Sequence, residues 1–245
     1  MTTKVAVVGA SGKMGRLATR IVEEADDLEL FAAIGSDGDF QSMIGADVAV
    51  DFTVPAVSQA VVEFALEHGV PVLVGTSGWS SDRISKVQHS MSDESSAVVI
   101  VPNFSIGSVL ATSFAATAAR FYDSIEIIEA HAATKLDSPS GTATRTAELI
   151  GQARATLGPV IAPHADQRAR GQQVSSVPIH SLRMQGVVAK QDVIFGGNGE
   201  LLVISHETLS PSSYEKGILL ALRAMSSATG VLVGLDKLID LAAGE

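Results

Sequence analysis

The run Val5-Ala6-Val7-Val8-Gly9-Ala10-Ser11-Gly12-Lys13-Met14-Gly15 decides how the rest of the chain is read. Small and β-branched apolar residues make a strand, and glycines at a G-x-x-G-x-x-G spacing turn it into an amphipathic stretch at 13–25. In a strand–turn–helix unit, Gly9 permits a tight turn, Gly12 lets backbone N–H groups approach a phosphate, and Gly15 lets the helix lie close on the strand. The segment Gly9, Ala10, Ser11, Gly12, Lys13, Met14, Gly15 is therefore expected to hold the pyrophosphate of a dinucleotide.

Working outward, short apolar runs at 28–34, 48–52, 70–74 and 98–101 alternate with helical patterns at 55–67 and 81–91. This alternation predicts an α/β domain with a doubly wound parallel sheet of Rossmann type, its strands apolar because both faces are covered. The pattern changes after Asn103. A helix near 109–121 and a strand at 124–130 lead to a second helix opening at about Thr142 and a loop over 151–173. Strand-like runs then follow directly at 177–184, 187–195 and 201–206, with Gly196-Gly197-Asn198-Gly199 as a turn between the last two. Consecutive strands predict a second, α+β domain with a mainly antiparallel sheet. Helices are expected at 214–226 and 235–242, with no sheet of their own. The expected domains are 1–103, completed by 214–245, for the dinucleotide, and 104–213 for substrate and oligomerisation.

The 245 residues suffice for two modest cores, and the formal charge of −10 argues against nucleic acid, which requires clustered Lys and Arg. Without cysteine there is no disulfide, thiolate chemistry or Cys-ligated zinc, and no metal site is assigned. The start lacks the long apolar core of a signal peptide, and no run reaches membrane-spanning length, so the expected compartment is the cytoplasm.

Cofactor type turns on the end of the second strand. A carboxylate there would bind the ribose diol of NADH, but Ile34 is followed by Gly35-Ser36-Asp37 and the position is empty. Lys13 and Arg16 could face a 2′-phosphate, which tilts the reading to NADPH and leaves both cofactors open. Ser36, then Phe52 and Thr53 in Asp51-Phe52-Thr53-Val54-Pro55, and Gly75 and Thr76 in Gly75-Thr76-Ser77-Gly78-Trp79, fall on the ligand-binding edge of the sheet.

The segment Glu129-Ala130-His131-Ala132-Ala133-Thr134-Lys135-Leu136-Asp137-Ser138-Pro139-Ser140-Gly141-Thr142-Ala143 carries the chemistry. His131 is a candidate proton donor, since imidazole exchanges a proton near neutral pH. Ser140, Gly141 and Thr142 stand where a helix begins. Their N–H groups and hydroxyls suit either helix capping or a carboxylate cradle, and one does not exclude the other. Lys135 adds a full positive charge, so a dianionic substrate could be held by a globally acidic protein.

This segment resembles the signature of the dihydrodipicolinate reductase family: a Glu, a His pair, a Lys four residues beyond the first His, then Asp-Ala-Pro-Ser-Gly-Thr-Ala. The resemblance covers essentially the whole chain, with Pro102-Asn103-Phe104-Ser105-Ile106-Gly107, Arg170-Gly171 and Pro178-Ile179-His180-Ser181 in family order. It implies NAD(P)H-dependent reduction of 4-hydroxy-tetrahydrodipicolinate, a step of lysine and diaminopimelate biosynthesis. By the resemblance, His131 protonates the substrate carbon, Lys135, Ser140, Gly141 and Thr142 hold its carboxylates, Ser77 touches substrate or nicotinamide, and Asn103 and Phe104 join the cofactor residues. A homotetramer joined through the second-domain sheet is also implied.

The chain departs from the family pattern in the three residues after His131, in Ser138 for the usual Ala and near 209–213, and two of these changes remove a contact to substrate. Ala132 replaces the second His, and Leu209-Ser210-Pro211-Ser212-Ser213 lacks the Arg that follows the Ser pair. Each lost contact to a charged group is worth about 1.5–3 kcal/mol. A paralogue reducing a different cyclic imine, or a dinucleotide sensor without turnover, therefore stands as an alternative.

Overall fold

The computed structural model describes residues 2–91 and 96–238. They fall into two compact units, one running to Phe104 and resuming at Tyr214, the other Ser105–Ser213. The first unit opens with β1 (Thr3–Val8), α1 (Lys13–Glu24), β2 (Leu28–Ile34), β3 (Val48–Asp51), α2 (Pro55–Glu67), β4 (Val72–Val74), α3 (Ser81–Ser90) and β5 (Ala97–Ile100). The strands β3, β4 and β5 are buried along their whole length. That is why they read as unbroken apolar runs rather than as alternating ones.

The second unit contains α4 (Ile106–Ala118), β6 (Ser124–Ala132), α5 (Gly141–Ala153), β7 (Gln172–Val174), β8 (Val177–Met184), β9 (Ala189–Gly197) and β10 (Glu200–Thr208). Its five strands lie in the order β10-β9-β6-β8-β7. All pairs are antiparallel except β6 with β8. Alternation gives this sheet two unlike faces. Ile125, Ile127, Val177, Ile179, Val193 and Phe195 pack against Ala115, Ala119, Ala143, Ala147 and Ile150 of the helical layer, where alanine lets helix and sheet approach closely. On the opposite face Leu182, Met184, Leu201 and Val203 stay between 45% and 74% exposed.

The chain then re-enters the first unit through α6 (Glu215–Ala224) and β11 (Gly230–Val233). β11 pairs in parallel with β5, and the sheet order is β11-β5-β4-β3-β1-β2. This corrects the expectation that the chain after residue 214 adds helices only. Gly230-Val231-Leu232-Val233-Gly234 is a β-branched run bounded by glycines, the signal of a strand, and its half-buried residues fit a sheet edge. Leu235–Lys237 forms a single 3-10 turn, and residues 239–242 of the expected last helix lie outside the described residues. The expected loop over 151–173 is also shorter, because α5 continues to Ala153 and Gln172–Val174 pairs with β8. No described helix is long and apolar enough to cross a membrane.

Two ion pairs, Arg20 with Glu215 at 2.6 Å and Arg223 with Asp27 at 2.8 Å, accompany the return of α6. Both are exposed and contribute little. Closer fit comes from Gly217, where a Cβ would stand 1.8 Å from the carbonyl oxygen of Phe104. Gly217→Ala is expected to destabilise the unit by about 1–3 kcal/mol through overpacking, seen as a lowered melting temperature by circular dichroism.

Candidate functional site

In the first unit the glycine turn follows β1, whose neighbours β2 and β3 lie on either side of it. This is the point where the winding of a doubly wound sheet reverses and a crevice opens at the strand ends. Gly9 has φ +84°, and a Cβ on it would lie 2.5 Å from the Phe52 carbonyl oxygen. A Cβ on Gly15 would lie 2.0 Å from the Gly9 carbonyl oxygen, so both positions require glycine. The Gly9 and Ala10 N–H groups donate to the Ile34 carbonyl at 2.8 and 3.0 Å, and the Gly12 N–H donates to the Gly9 carbonyl at 3.0 Å. The Gly12 N–H is thus used within the turn itself. Gly12 is the N-cap of α1 and offers no side chain, so no side chain caps the first-turn N–H groups. Those groups are the natural anion donors. Ser11, Lys13 and Ser36 are exposed beside them, and Met14 is half-buried. Arg16 is exposed with its guanidinium donating to the Ser11 carbonyl.

The two other strand-end loops are joined through Asp51, which is fully buried at the end of β3. One carboxylate oxygen accepts from the Thr53 N–H at 2.9 Å and the Thr53 hydroxyl at 2.6 Å. The other accepts from Ser58, whose hydroxyl in turn accepts from Trp79 Nε1 at 2.9 Å. Thr76 Oγ1 donates to the Asp51 carbonyl at 3.3 Å, and the guanidinium of Arg83 donates to the carbonyls of Pro55 and Gly78, both at 3.1 Å. The hydroxyls of Thr53 and Thr76 are therefore spent on fixing the loops. Phe52 and Phe104 are also turned inward, with ring centroids 5.5 Å apart, and a Cβ on Gly75 would stand 2.2 Å from the Phe52 ring. Asn103 is half-buried, and Ser77 is exposed at the tip of its loop.

In the second unit the chemistry gathers on the helix-covered face, at the end of β6. Glu129 and His131 are two residues apart on one strand and so share a face. In the register of β6 with β8, Ser181 lies opposite Glu129 and Arg183 lies opposite His131. Glu129 is fully buried. Arg183 clasps it with both terminal nitrogens at 2.9 Å, His131 Nδ1 lies 2.5 Å from Oε2, and the Ser140 N–H donates to Oε1 at 3.2 Å. Burial pushes the Glu129 carboxyl up, but hydrogen bonds from Arg183, Ser181 and His131 outweigh it and hold the group down at about 2. A carboxylate so acidic has no proton to donate, so the hydrogen in the 2.5 Å contact sits on Nδ1.

Ser140 is buried, and its hydroxyl caps α5 by accepting from the Ala143 N–H at 3.2 Å. Gly141 is exposed with open space where a side chain would be, and Thr142 is half-buried next to it, so this end of α5 is approachable. Lys135 pairs with Asp137 at 2.7 Å. Burial acts to raise the Asp137 carboxyl, but Lys135 outweighs it and holds the group below its usual value. Ala132 ends β6 opposite Met184, on the alternate face from His131.

The geometry thus brings Glu129, His131 and Ser140 together, with Lys135 on the segment that Arg183 also holds through the Asp137 carbonyl at 2.6 Å. Sequence reasoning missed Arg183 altogether. Its only signal was the spacing Ile179, Ser181, Arg183 on one strand face, which needs the pairing partner to be known. Among the described residues no group of His, Asp or Glu could hold a metal ion.

A fully parallel sheet with a glycine turn at the reversal of its winding puts the chain in the Rossmann class of dinucleotide-binding folds. Residues 3–104 match the family model for the N-terminus of dihydrodipicolinate reductase, and residues 107–239 match the model for its C-terminus. The chain belongs to the dihydrodipicolinate reductase family. It is 67% identical over 242 residues to the 4-hydroxy-tetrahydrodipicolinate reductase of Clavibacter sepedonicus, covering 98% of this chain and 87% of that one. It is 44% identical to the enzyme of the same name from Streptomyces griseus, covering 97% and 98%. Among solved structures, dipicolinate-bound dihydrodipicolinate reductase from Paenisporosarcina matches with a TM-score of 0.80 and 28% identity over 98% of this chain and all of that one. GenD2 of gentamicin biosynthesis, solved in complex with NAD, shares the fold alone, with a TM-score of 0.63 and 13% identity over 93% of this chain and 86% of that one.

The depressed acidity of Glu129 links stability to pH. Because its folded value lies below the unfolded 4.5, at about 2, it contributes stability that is present above pH 4.5 and lost as pH falls towards 2. The contribution is about 3 kcal/mol. Melting curves between pH 6 and pH 2 are expected to show this loss in the wild type, and Glu129→Gln is expected to flatten that part of the profile.

Proposed function

We propose that the chain reduces 4-hydroxy-tetrahydrodipicolinate to tetrahydrodipicolinate with NADPH or NADH, as a step of diaminopimelate and lysine biosynthesis. The observation that carries this reading is the imidazole of His131, tied by Nδ1 to Glu129 and 17% exposed, near the approachable end of α5. The names of its relatives agree with it.

The first unit fits a dinucleotide, since its turn has no room for side chains at Gly9 and Gly15 and α1 has no side-chain cap. The N–H groups of residues 13–15 would hold the pyrophosphate, with Ser11 and Ser36 on the ribose side and the backbones of residues 52–53, 75–76 and 103–104 along the nicotinamide. When bound, the cofactor supplies a hydride. The missing carboxylate after β2, with Lys13 and Arg16 exposed, favours a 2′-phosphate and hence NADPH.

The substrate is a cyclic dicarboxylate that forms a conjugated imine when its 4-hydroxyl leaves as water. Hydride addition leaves a carbanionic or enamine carbon, and His131, entering the step as the charged ring with Nδ1–H held by Glu129, gives that carbon its Nε2 proton and is left neutral. Gly141 and Thr142, with Ser140 as the cap that shapes the turn, receive one carboxylate through the α5 N-terminus, and Lys135 exchanges its partner Asp137 for the other. Ser77 contacts substrate or nicotinamide.

The test is turnover of enzymatically generated substrate, followed by nicotinamide absorbance with each cofactor in turn. His131→Ala is expected to lower kcat by about 10²–10⁴-fold. Lys135→Ala is expected to act mainly on KM. Cofactor binding without oxidation by the wild type would instead favour a different cyclic imine or a sensing role.

A second copy of the chain completes the assembly in this reading, a homotetramer built through the open face of the five-stranded sheet. That face carries Leu182, Met184, Leu201 and Val203 in an exposed apolar patch, the kind that marks an association surface. Val203→Asp, placing a charge in its midst, is expected to yield smaller species by light scattering coupled to gel filtration. An unchanged mass would rule out this face.

A further inference from the structure

Proton transfer from one nitrogen of a histidine depends on what holds the other. In this chain the holder is held in turn. Glu129 has no exposed surface, and Arg183, His131 and the Ser140 N–H together occupy both its oxygens. An ionised carboxylate buried in this way survives only beside a compensating charge, and Arg183 supplies it in a two-pronged geometry that lysine cannot reproduce. The same guanidinium donates to the Asp137 carbonyl at 2.6 Å, which lies two residues from Lys135.

We propose that Glu129 and Arg183 are positioning residues for the reduction: Glu129 fixes the His131 ring with its proton on Nδ1, and Arg183 locks both that carboxylate and the segment carrying Lys135. The proposal rests on the reductase reading for its kinetics, though not for its structural content. The pair does not touch substrate in this scheme. It determines which ring nitrogen faces the reacting carbon, and it sets the distance between the proton donor and the carboxylate-binding groups, because Ser140 hangs on the same carboxylate. A contrasting cluster lies on the opposite face of β6, where Glu126 accepts from His180 Nε2 at 2.5 Å and from Arg170. There the carboxylate side chain is 27% exposed, and it has no link to the α5 N-terminus among the described contacts.

The experiment pairs a spectroscopic readout with kinetics. In protein labelled with ¹⁵N-histidine, the His131 ring signals are identified by their loss in His131→Gln. The wild type is expected to keep a proton on Nδ1 in the neutral ring as well as in the charged one, the charged ring being the form that carries the transferred proton on Nε2. Glu129→Gln is expected to convert the neutral ring to a mixture or to the Nε2–H form, while Glu126→Gln leaves it unchanged. In the turnover assay Glu129→Gln is expected to lower kcat by about 10²-fold with KM within about threefold. Arg183→Met is expected to do the same, and Arg183→Lys to restore part of the loss. Melting temperature and dinucleotide affinity are measured beside each variant, and where Glu129→Gln does not fold, Arg183→Lys carries the comparison. A wild-type tautomer and kcat in the folded Glu129→Gln or Arg183→Lys protein overturn the proposal. A wild type that is inactive on the substrate defeats the reductase reading alone, because the ring tautomer still decides whether Glu129 orients His131.

Discussion

A single buried carboxylate, Glu129, organises the second unit. Placing an ion in the core of a sheet is unfavourable unless charge and hydrogen bonds surround it. The chain meets that demand with an arginine from the neighbouring strand, a histidine from the same strand and a backbone N–H from the start of α5. Each of these partners is tied to a different piece of backbone. Satisfying one carboxylate therefore fixes the end of β6, the end of β8 and the first turn of a helix in a single arrangement. The electrostatic requirement and the geometric precision of the site have the same origin.

The first unit solves a similar problem with Asp51. This carboxylate also sits at a strand end, and it also collects donors from separate loops, Thr53 and Ser58 directly and Trp79 through the Ser58 hydroxyl. Among the described residues no arginine clasps Asp51. Its partners are hydroxyls and an N–H group, and the second loop is closed by Arg83 acting on carbonyl oxygens instead. The result is a pair of loops whose polar side chains face one another, while Ser77 stays exposed at the tip of the second. A side chain that contributes to a site by bracing it looks the same in sequence as one that touches the ligand. Thr53 and Thr76 illustrate this, since their hydroxyls brace the turn.

Much of the architecture was legible because it follows from local pattern. The fully buried strands β3, β4 and β5 are short apolar runs, and the glycines at 9 and 15 stand where the backbone has no room for a Cβ. The return strand at Gly230–Val233 was equally visible as a bounded β-branched run, but it falls in the short gap between the two helices expected after residue 214 and was passed over. At the site, His131, Ser140 and Gly141 could be named from their spacing. Glu129 could have been, because residues two apart on a strand share a face. Arg183 could not. Its role arises from the parallel pairing of β6 with β8, strands separated by a helix and a short edge strand, and no periodicity within either one encodes that register.

The interrupted chain order of the first unit bears on how a nascent polypeptide acquires it. Five strands of the parallel sheet leave the ribosome first, yet α6 and β11 emerge only after all of Ser105–Ser213. Until then β5 is an uncovered sheet edge, open to mispairing with another chain. The inserted unit is continuous in sequence, so all of its own strands and helices are made before α6 and β11. Synthesis from one end therefore lets the segment carrying His131 and Lys135 mature before the nucleotide fold can close.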